Sequence, residues 1–468
     1  MALSLFEKIW REHVIRDLGN GYALLHIDRN VNHDLVGSLV FEPLDKLKRR
    51  MPFPELNFAT MDHGIDTDPG RGDETKIPGG KDGVQGLRRK SKEYGVHLFD
   101  LGDVRQGIVH VITPELGIAL PGLTLVCGDS HTTTVGGMGA LCWGAGVTEI
   151  EHVLATQTLL VEKPKALRIL FEGRVAKGVT PKDMILYAIG QLGAKAGNGY
   201  CVEFAGEAIR ALPVEGRLTV CNMAIEMAAR FGMVAADDTT FEYIAGRPFA
   251  PKGALFDQGV RYWRTLPSDP GAAFDREVTL DAGKIEPQIT WGTSPQDVIG
   301  VSGRVPDPAK APNAEQRGYL ERALKYAGLA PGAPIDGTPI DVAFIGSCTN
   351  SRLSDLRRAA QILKGRKVAK GVTAWCVPGS GQVKRDAEAE GIDRVFRDAG
   401  FEWREPGCSM CVALGGDKFG PGQRSISSTN RNFENRQGVG VRTHLASPEM
   451  VAAAAVTGRI TDVRKLAV

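Results

Sequence analysis

The stretch Asp341-Val-Ala-Phe-Ile345, Gly346-Ser-Cys-Thr-Asn350 and then Arg352 to Leu363 decides the fold class. The opening run is apolar and of strand length, the middle is small and polar as a tight loop requires, and the last part repeats apolar residues at helical spacing. The same order returns downstream. Val372 to Val377 reads as a strand, Pro378-Gly-Ser-Gly381 as its loop and Val383 to Glu390 as a helix. Phe401-Glu-Trp403 is a further short strand before Pro406-Gly-Cys-Ser-Met-Cys411. Upstream, Leu123-Thr-Leu-Val-Cys127 ends in Gly128-Asp-Ser-His131, and a glycine-rich stretch leads to a helix predicted over Thr148 to Leu160. Thr148 is its expected N-cap, with Glu149 and Glu151 in the first turn.

Alternating strands and helices predict an α/β protein with parallel sheets. Ligands bind beyond the carboxyl ends of such strands, where both cysteine loops lie. The charged connector Glu162-Lys-Pro-Lys165 marks one boundary, and a Pro- and Gly-rich region from about Ala282 to Pro339 marks another. The expected division is three α/β domains over residues 1–164, 165–283 and 284–468. An apolar helix is expected around Asn222 to Phe231 and an amphipathic helix over Met1 to Ile15. Gly64 to Gly86 reads as a mobile surface loop.

At 468 residues the chain is long enough for several cores. Its 57 Lys+Arg against 55 Asp+Glu give a net charge of +2, which leaves no basic excess to neutralise phosphates and argues against nucleic acid as a partner. The longest purely apolar stretch, Val451 to Val456, is far short of a bilayer span, and Glu7 and Glu12 interrupt the first helix, so no secretory signal is expected. A cytoplasmic location follows as the default.

Glycine-rich Gly136-Gly-Met-Gly139 misses the dinucleotide fingerprint because its third position is Cys142, so close packing is the expected use of these glycines. The eight cysteines are scattered, and only Cys408 and Cys411 are close in sequence. Such a pair suits a zinc site, a redox pair, an iron–sulfur cluster or two structural thiols. Cys348 lies on a strand-end loop of the same expected sheet, which favours three converging thiolates. A cluster held by three cysteines leaves one iron open as a Lewis acid. Cys376 sits inside an apolar strand, where a small buried hydrophobe is the expected role. His63 and His131 each stand near an acid, Asp62 and Asp129, and an acid partner fixes tautomer and tunes basicity. Arg431 and Arg436 in a polar loop suit an anionic substrate, since guanidinium matches carboxylate bidentately.

Gly346-Ser-Cys-Thr-Asn-Ser351, Pro406-Gly-Cys-Ser-Met-Cys411 and Ser428-Thr-Asn-Arg-Asn-Phe433 resemble signatures of the aconitase superfamily. Cys127-Gly-Asp-Ser-His-Thr132, Ala59-Thr-Met-Asp-His63 and Cys221-Asn-Met-Ala-Ile-Glu226 add to the likeness, which runs nearly end to end. The resemblance implies three α/β domains with a 4Fe-4S cluster at their junction, one per subunit, with one labile iron on Cys348, Cys408 and Cys411. It implies catalytic roles for Asp62, His63, Asp129, His131 and Glu226, and substrate contacts for His33, Ser130, Asn222, Asn430, Arg431 and Arg436. A glutamine stands in aconitase where this chain has His33. The resemblance further implies that the fourth, swivelling domain and its proton-abstracting base come from a separate small subunit. The branch it points to isomerises the hydroxy-diacid 2-isopropylmalate to 3-isopropylmalate in leucine biosynthesis. Sister hydro-lyases of citramalate, homocitrate or benzylmalate are the alternative, and an RNA-binding regulator without its cluster is a more distant one.

Overall fold

The computed structural model describes residues 2–411, 413 and 416–466. Met1, where the first helix was expected to begin, lies outside them. The chain groups into two compact units, one of Met1–Ile65, Gly72–Gly173 and Gly197–Leu280, the other of Asp66–Arg71, Arg174–Ala196 and Asp281–Val468. This division differs from the three consecutive segments expected.

The first unit is organised on a five-stranded parallel sheet of β1 (Arg29–His33), β2 (Asn57–Thr60), β3 (His97–Phe99), β4 (Thr124–Cys127) and β5 (Leu141–Gly144), in the order β3-β2-β1-β4-β5. Its strands are short and mostly buried, though β1 is polar apart from Val31, and Val31, Phe58, Leu125, Val126 and Trp143 enter one core. A second sheet, from Phe231–Met233, Tyr200–Ala205, Lys165–Glu172 and Arg276–Asp281, shares that core. The glycines of Gly136-Gly-Met-Gly139 make this packing possible. A Cβ on Gly136 would lie 1.8 Å from the Gly232 carbonyl oxygen, and one on Gly137 2.7 Å from the Leu218 nitrogen. Only a bare backbone fits such an approach.

The second unit repeats the plan. Its parallel sheet of β6 (Val342–Ile345), β7 (Thr373–Cys376), β8 (Glu402–Trp403), β9 (Arg424–Ser427) and β10 (Arg442–Leu445) runs in the order β8-β7-β6-β9-β10. Both sheets therefore reverse direction beside their first strand, between β1 and β4 and between β6 and β9. Crevices at the carboxyl ends of such strand pairs are where open α/β sheets bind ligands.

Four local expectations are corrected. The helix after β5 spans Val147–Thr156 with Gly146 as N-cap; Gln157 turns left-handed, and Thr158–Glu162 then pairs with Tyr22–His26 as a strand. The Asn222 to Phe231 stretch is a helix end, Val214–Asn222, followed by a 3-10 turn, Met223–Met227, and then strand Phe231–Met233. The first helix is Leu5–His13, and Val14–Gly19 continues as a strand. The Gly64 to Gly86 segment is tied down rather than loose: Ile65 and Thr67 are buried, and helix Gly80–Tyr94 begins inside it. Among the described residues, no helix is long and apolar enough to cross a membrane.

Candidate functional site

At the carboxyl ends of the strands in the first unit, imidazoles and carboxylates gather. His33 closes β1, Asp62 and His63 follow β2, and Asp129 to His131 follow β4. His63 stands between two acids, its Nδ1 2.6 Å from Asp62 Oδ1 and its Nε2 3.3 Å from Asp129 Oδ2. An ionised carboxylate only accepts, so the imidazolium form satisfies both neighbours at once. Asp129 Oδ1 also accepts from His110 Nε2 at 2.9 Å and from the His131 backbone N–H at 2.6 Å. Burial pushes the Asp129 carboxyl upward, but hydrogen bonds from His110, His131 and His63 outweigh it and hold this acid well below the usual carboxylate range. Asp62 is likewise held low: burial is again outweighed, here by the charge and hydrogen bond of His63.

His131 finds its closest acid elsewhere than the sequence suggested. Its Nε2 lies 2.8 Å from Glu226 Oε1, against 3.6 Å from its Nδ1 to Asp129. Asn222 Nδ2 donates to Thr134 Oγ1 at 2.8 Å, and Ser130 Oγ lies 3.4 Å from His131 Nδ1. Asp129 and Ser130 line a cavity of about 270 Å³ together with Ile225 and Arg230. His33 packs tilted against His63 with ring centroids 4.2 Å apart, and neither of its buried ring nitrogens makes a well-formed hydrogen bond among the described residues. Burial first, and the neighbouring His63 second, pull its affinity for a proton down to about 4, so it is a neutral ring.

Two residues of this group were missed in the sequence. His110 sits on helix α1 (Val109–Glu115) inside the run Ile108-Val-His-Val-Ile112, where a lone histidine looks like core. Asp34 accepts the backbone N–H groups of Asp62, at 2.8 Å, His63, at 3.0 Å, and Gly64, and so fixes the turn that aims the Asp62–His63 pair. Its place directly after His33 was the available signal. His33, Asp34, Asp62 and His63 are close enough together to suggest a metal site, but three of them are already knit to one another by these hydrogen bonds.

The second unit carries thiols at its strand ends, two of them after β8, the counterpart of the edge strand β3. Cys348 follows β6, Cys408 and Cys411 follow β8, and Asn430 follows β9. None of the eight cysteines is in a disulfide. Cys348, Cys408 and Cys411 retain 5–6% exposure, whereas Cys127, Cys142, Cys201, Cys221 and Cys376 lie at 0–2% with their thiols pushed up by burial. Asn430 joins two of the loops: its Nδ2 donates to Cys348 Sγ at 3.4 Å, and its Oδ1 accepts from Cys411 Sγ at 3.6 Å. Cys408 and Cys411 share one tight turn, closed by a 3.0 Å backbone hydrogen bond. Met410, fully buried beside Phe344 and Val441, anchors that turn to the core. Ser347 and Ser409, each next to a cysteine, hold left-handed backbone at φ 87° and 46°. Such conformations cost non-glycine residues roughly 1–3 kcal/mol and cluster at functional sites.

A side-chain network braces the cysteine turn. Ser409 Oγ donates to Asp417 Oδ2 at 2.8 Å and Thr67 Oγ1 to the same atom at 2.6 Å, while buried Arg404 bonds Asp417, Asp68 and Thr67 and lies over the Trp375 ring. Arg436 brings Nη2 to 4.0 Å from Cys411 Sγ, and its buried Nε has no partner among the described residues. Arg431 is half-buried on the same loop.

The model of the aconitase family (aconitate hydratase) matches residues 7–458. The chain belongs to the aconitase family. Within the family's range of relatives, 3-isopropylmalate dehydratase large subunit 1 of Bradyrhizobium diazoefficiens is 57% identical over 465 residues, which cover 99% of this chain and 97% of that protein. The holo-form of aconitase X from Thermococcus kodakaraensis aligns over 91% of this chain and 89% of that one, with 13% identity and a TM-score of 0.46. Membership in the family implies an iron–sulfur cluster. The second unit fits one: it offers three slightly accessible thiols on two loops, an amide that reaches two of them, and an orphaned guanidinium N–H beside them.

Proposed function

We propose that this chain is the large subunit of a hydro-lyase that isomerises 2-isopropylmalate to 3-isopropylmalate through isopropylmaleate, a step of leucine biosynthesis. The end-to-end identity with a 3-isopropylmalate dehydratase large subunit carries the reading. Cys348, Cys408 and Cys411 would hold a 4Fe-4S cluster with one labile iron. When bound, the cluster supplies a Lewis acid for the substrate hydroxyl.

The chain's own residues then handle protons and charge. His63, kept cationic between Asp62 and Asp129, protonates the departing hydroxyl oxygen, and in the reverse direction the same ring takes a proton from water. His110 holds Asp129 ionised and in place, and Glu226 orients His131 beside Ser130. Arg431 and Arg436 pair with substrate carboxylates, and Asn430 fixes the loop that carries them. Ser130, Asn222 and neutral His33 complete the set of substrate contacts. Fixing the diacid in one register raises the effective concentration of the reacting groups. The base that removes the carbon-bound proton comes from a small partner subunit.

The test is to reconstitute the chain anaerobically with its small subunit, supply 2-isopropylmalate, and follow 3-isopropylmalate by proton NMR. The reading predicts both isomers and a trace of isopropylmaleate at equilibrium. Turnover of citramalate, homocitrate or benzylmalate in its place would move the assignment to a sister hydro-lyase.

A further inference from the structure

Lys182 is the second residue of helix α2 (Pro181–Leu192) and is fully buried. Thr180, Pro181 and Asp183 around it form the helix start: Thr180 is the N-cap, Pro181 takes the first position, and the Asp183 carboxylate accepts from the Thr180 backbone N–H and hydroxyl at 2.7 Å. Helix formation therefore needs nothing from Lys182. A cation there also opposes the positive end of the helix dipole, and a buried ammonium without an opposite charge is costly.

Its direct partners are two carbonyl oxygens, that of Ser428 at 2.7 Å and that of Thr429. Among the described residues it has no carboxylate within ion-pair distance. Asp183 is committed to Thr180 and to the Gln288 N–H, and Asp355 to Asn350, Arg358 and the Arg352 N–H. Burial pulls the ammonium's proton affinity down to about 7, against the opposing fields of Asp355, Cys411, Asp183 and Cys348. The two carbonyls it grips immediately precede Asn430, whose amide reaches Cys348 and Cys411.

We infer that Lys182 is the positioning residue and buried counter-charge of the thiol site: its ammonium clamps the Ser428–Thr429 turn so that Asn430 meets the cysteines, and its charge offsets the negative charge the cluster brings. This rests on the reading that Cys348, Cys408 and Cys411 hold that cluster. Lys182 touches no reacting atom and acts through the turn and through its field.

The experiment compares wild type, K182R and K182Q, each reconstituted anaerobically together with the small subunit. It reads iron and sulfide content, the cluster's midpoint potential by EPR-monitored titration, and the rate of iron loss to a chelator. K182Q keeps a donor for the turn but loses the charge. It is expected to shift the potential downward, to speed iron loss and to weaken cluster retention by about 10–100-fold. K182R keeps the charge and is expected to hold the wild-type potential. A K182Q potential equal to wild type would overturn the inference and leave only a clamp. Absence of any cluster in wild type would instead overturn the parent reading. Should K182Q not fold, wild type labelled with 15N at the lysine Nζ answers the question. One slowly exchanging ammonium resonance must then move on cluster loading, and identical spectra would overturn the inference.

Discussion

The two five-stranded sheets share one strand order and differ in what they carry at their strand ends. In β3-β2-β1-β4-β5 the ends of β1, β2 and β4 present His33, the Asp62–His63 pair and Asp129 to His131. In β8-β7-β6-β9-β10 the ends of β6, β8 and β9 present Cys348, the Cys408–Cys411 turn and Asn430. On the proposed reading, one strand order serves proton transfer in one unit and soft-ligand binding in the other; the loops differ, and so does one strand used, β2 in the first and β8, the counterpart of β3, in the second. That is the expected economy of an open parallel sheet, whose crevice position is fixed by topology and whose chemistry is free to vary.

The widest separation should come from paired variants. C348S, C408S or C411S is expected to abolish cluster retention, read as loss of visible absorption and iron, and turnover with it. H63N and D129N are expected to keep full iron and sulfide content while turnover falls by about 10²–10⁴-fold. Loss of iron in H63N would break the division of labour. Next in size is Met410→Ala, which empties the anchor under the cysteine turn and should lower unfolding free energy by about 2–5 kcal/mol in urea titrations. Cys376→Ser buries a hydroxyl in β7 and should cost about 1–3 kcal/mol while leaving iron content unchanged. If it empties the cluster, a fourth thiolate ligand exists and the open-iron account fails.

The smallest effect is a pH signature of the first unit. Folding lowers the affinity of His33 for its proton from the ordinary 6.5 to about 4. Above pH 6.5 the ring is neutral in both states and its contribution is complete. Between pH 6.5 and 4 only the unfolded chain takes up the proton, so stability falls as pH falls. The pH dependence of Tm should therefore be flatter in H33Q than in wild type over that window. An unchanged slope would mean that His33 is protonated in the folded chain.

Much of this comparison was legible in the sequence. Apolar runs ending in small polar loops located β4, β6, β7 and β8, and the cysteines and Asp129–His131 fell on those loops, whereas Asp62–His63 follows β2, a strand that no apolar run announced. What escaped had physical reasons. Thr158–Glu162 continued a helical pattern, but its alternation of Leu159 and Val161 inward with Leu160 outward is that of a strand paired on one face. His110 and Lys182 stand in stretches where nothing local marks a charge partner, because their partners are distant in the chain: Asp129 for one, Ser428 and Thr429 for the other. Glu226 as the closest acid of His131 was hidden for the same reason. Inside the first unit, Gly136 and Gly137 pack on Gly232 and Leu218 across the boundary expected at 164/165, a contact that no linker composition announces.

The most direct test of the thiol half is the Mössbauer spectrum of the chain reconstituted with 57Fe in complex with its small subunit, recorded before and after 2-isopropylmalate is added. The account predicts that one iron signal alone changes on substrate addition, since three cysteines leave one iron open. Spectra in which every iron is equivalent and none responds to substrate would contradict it.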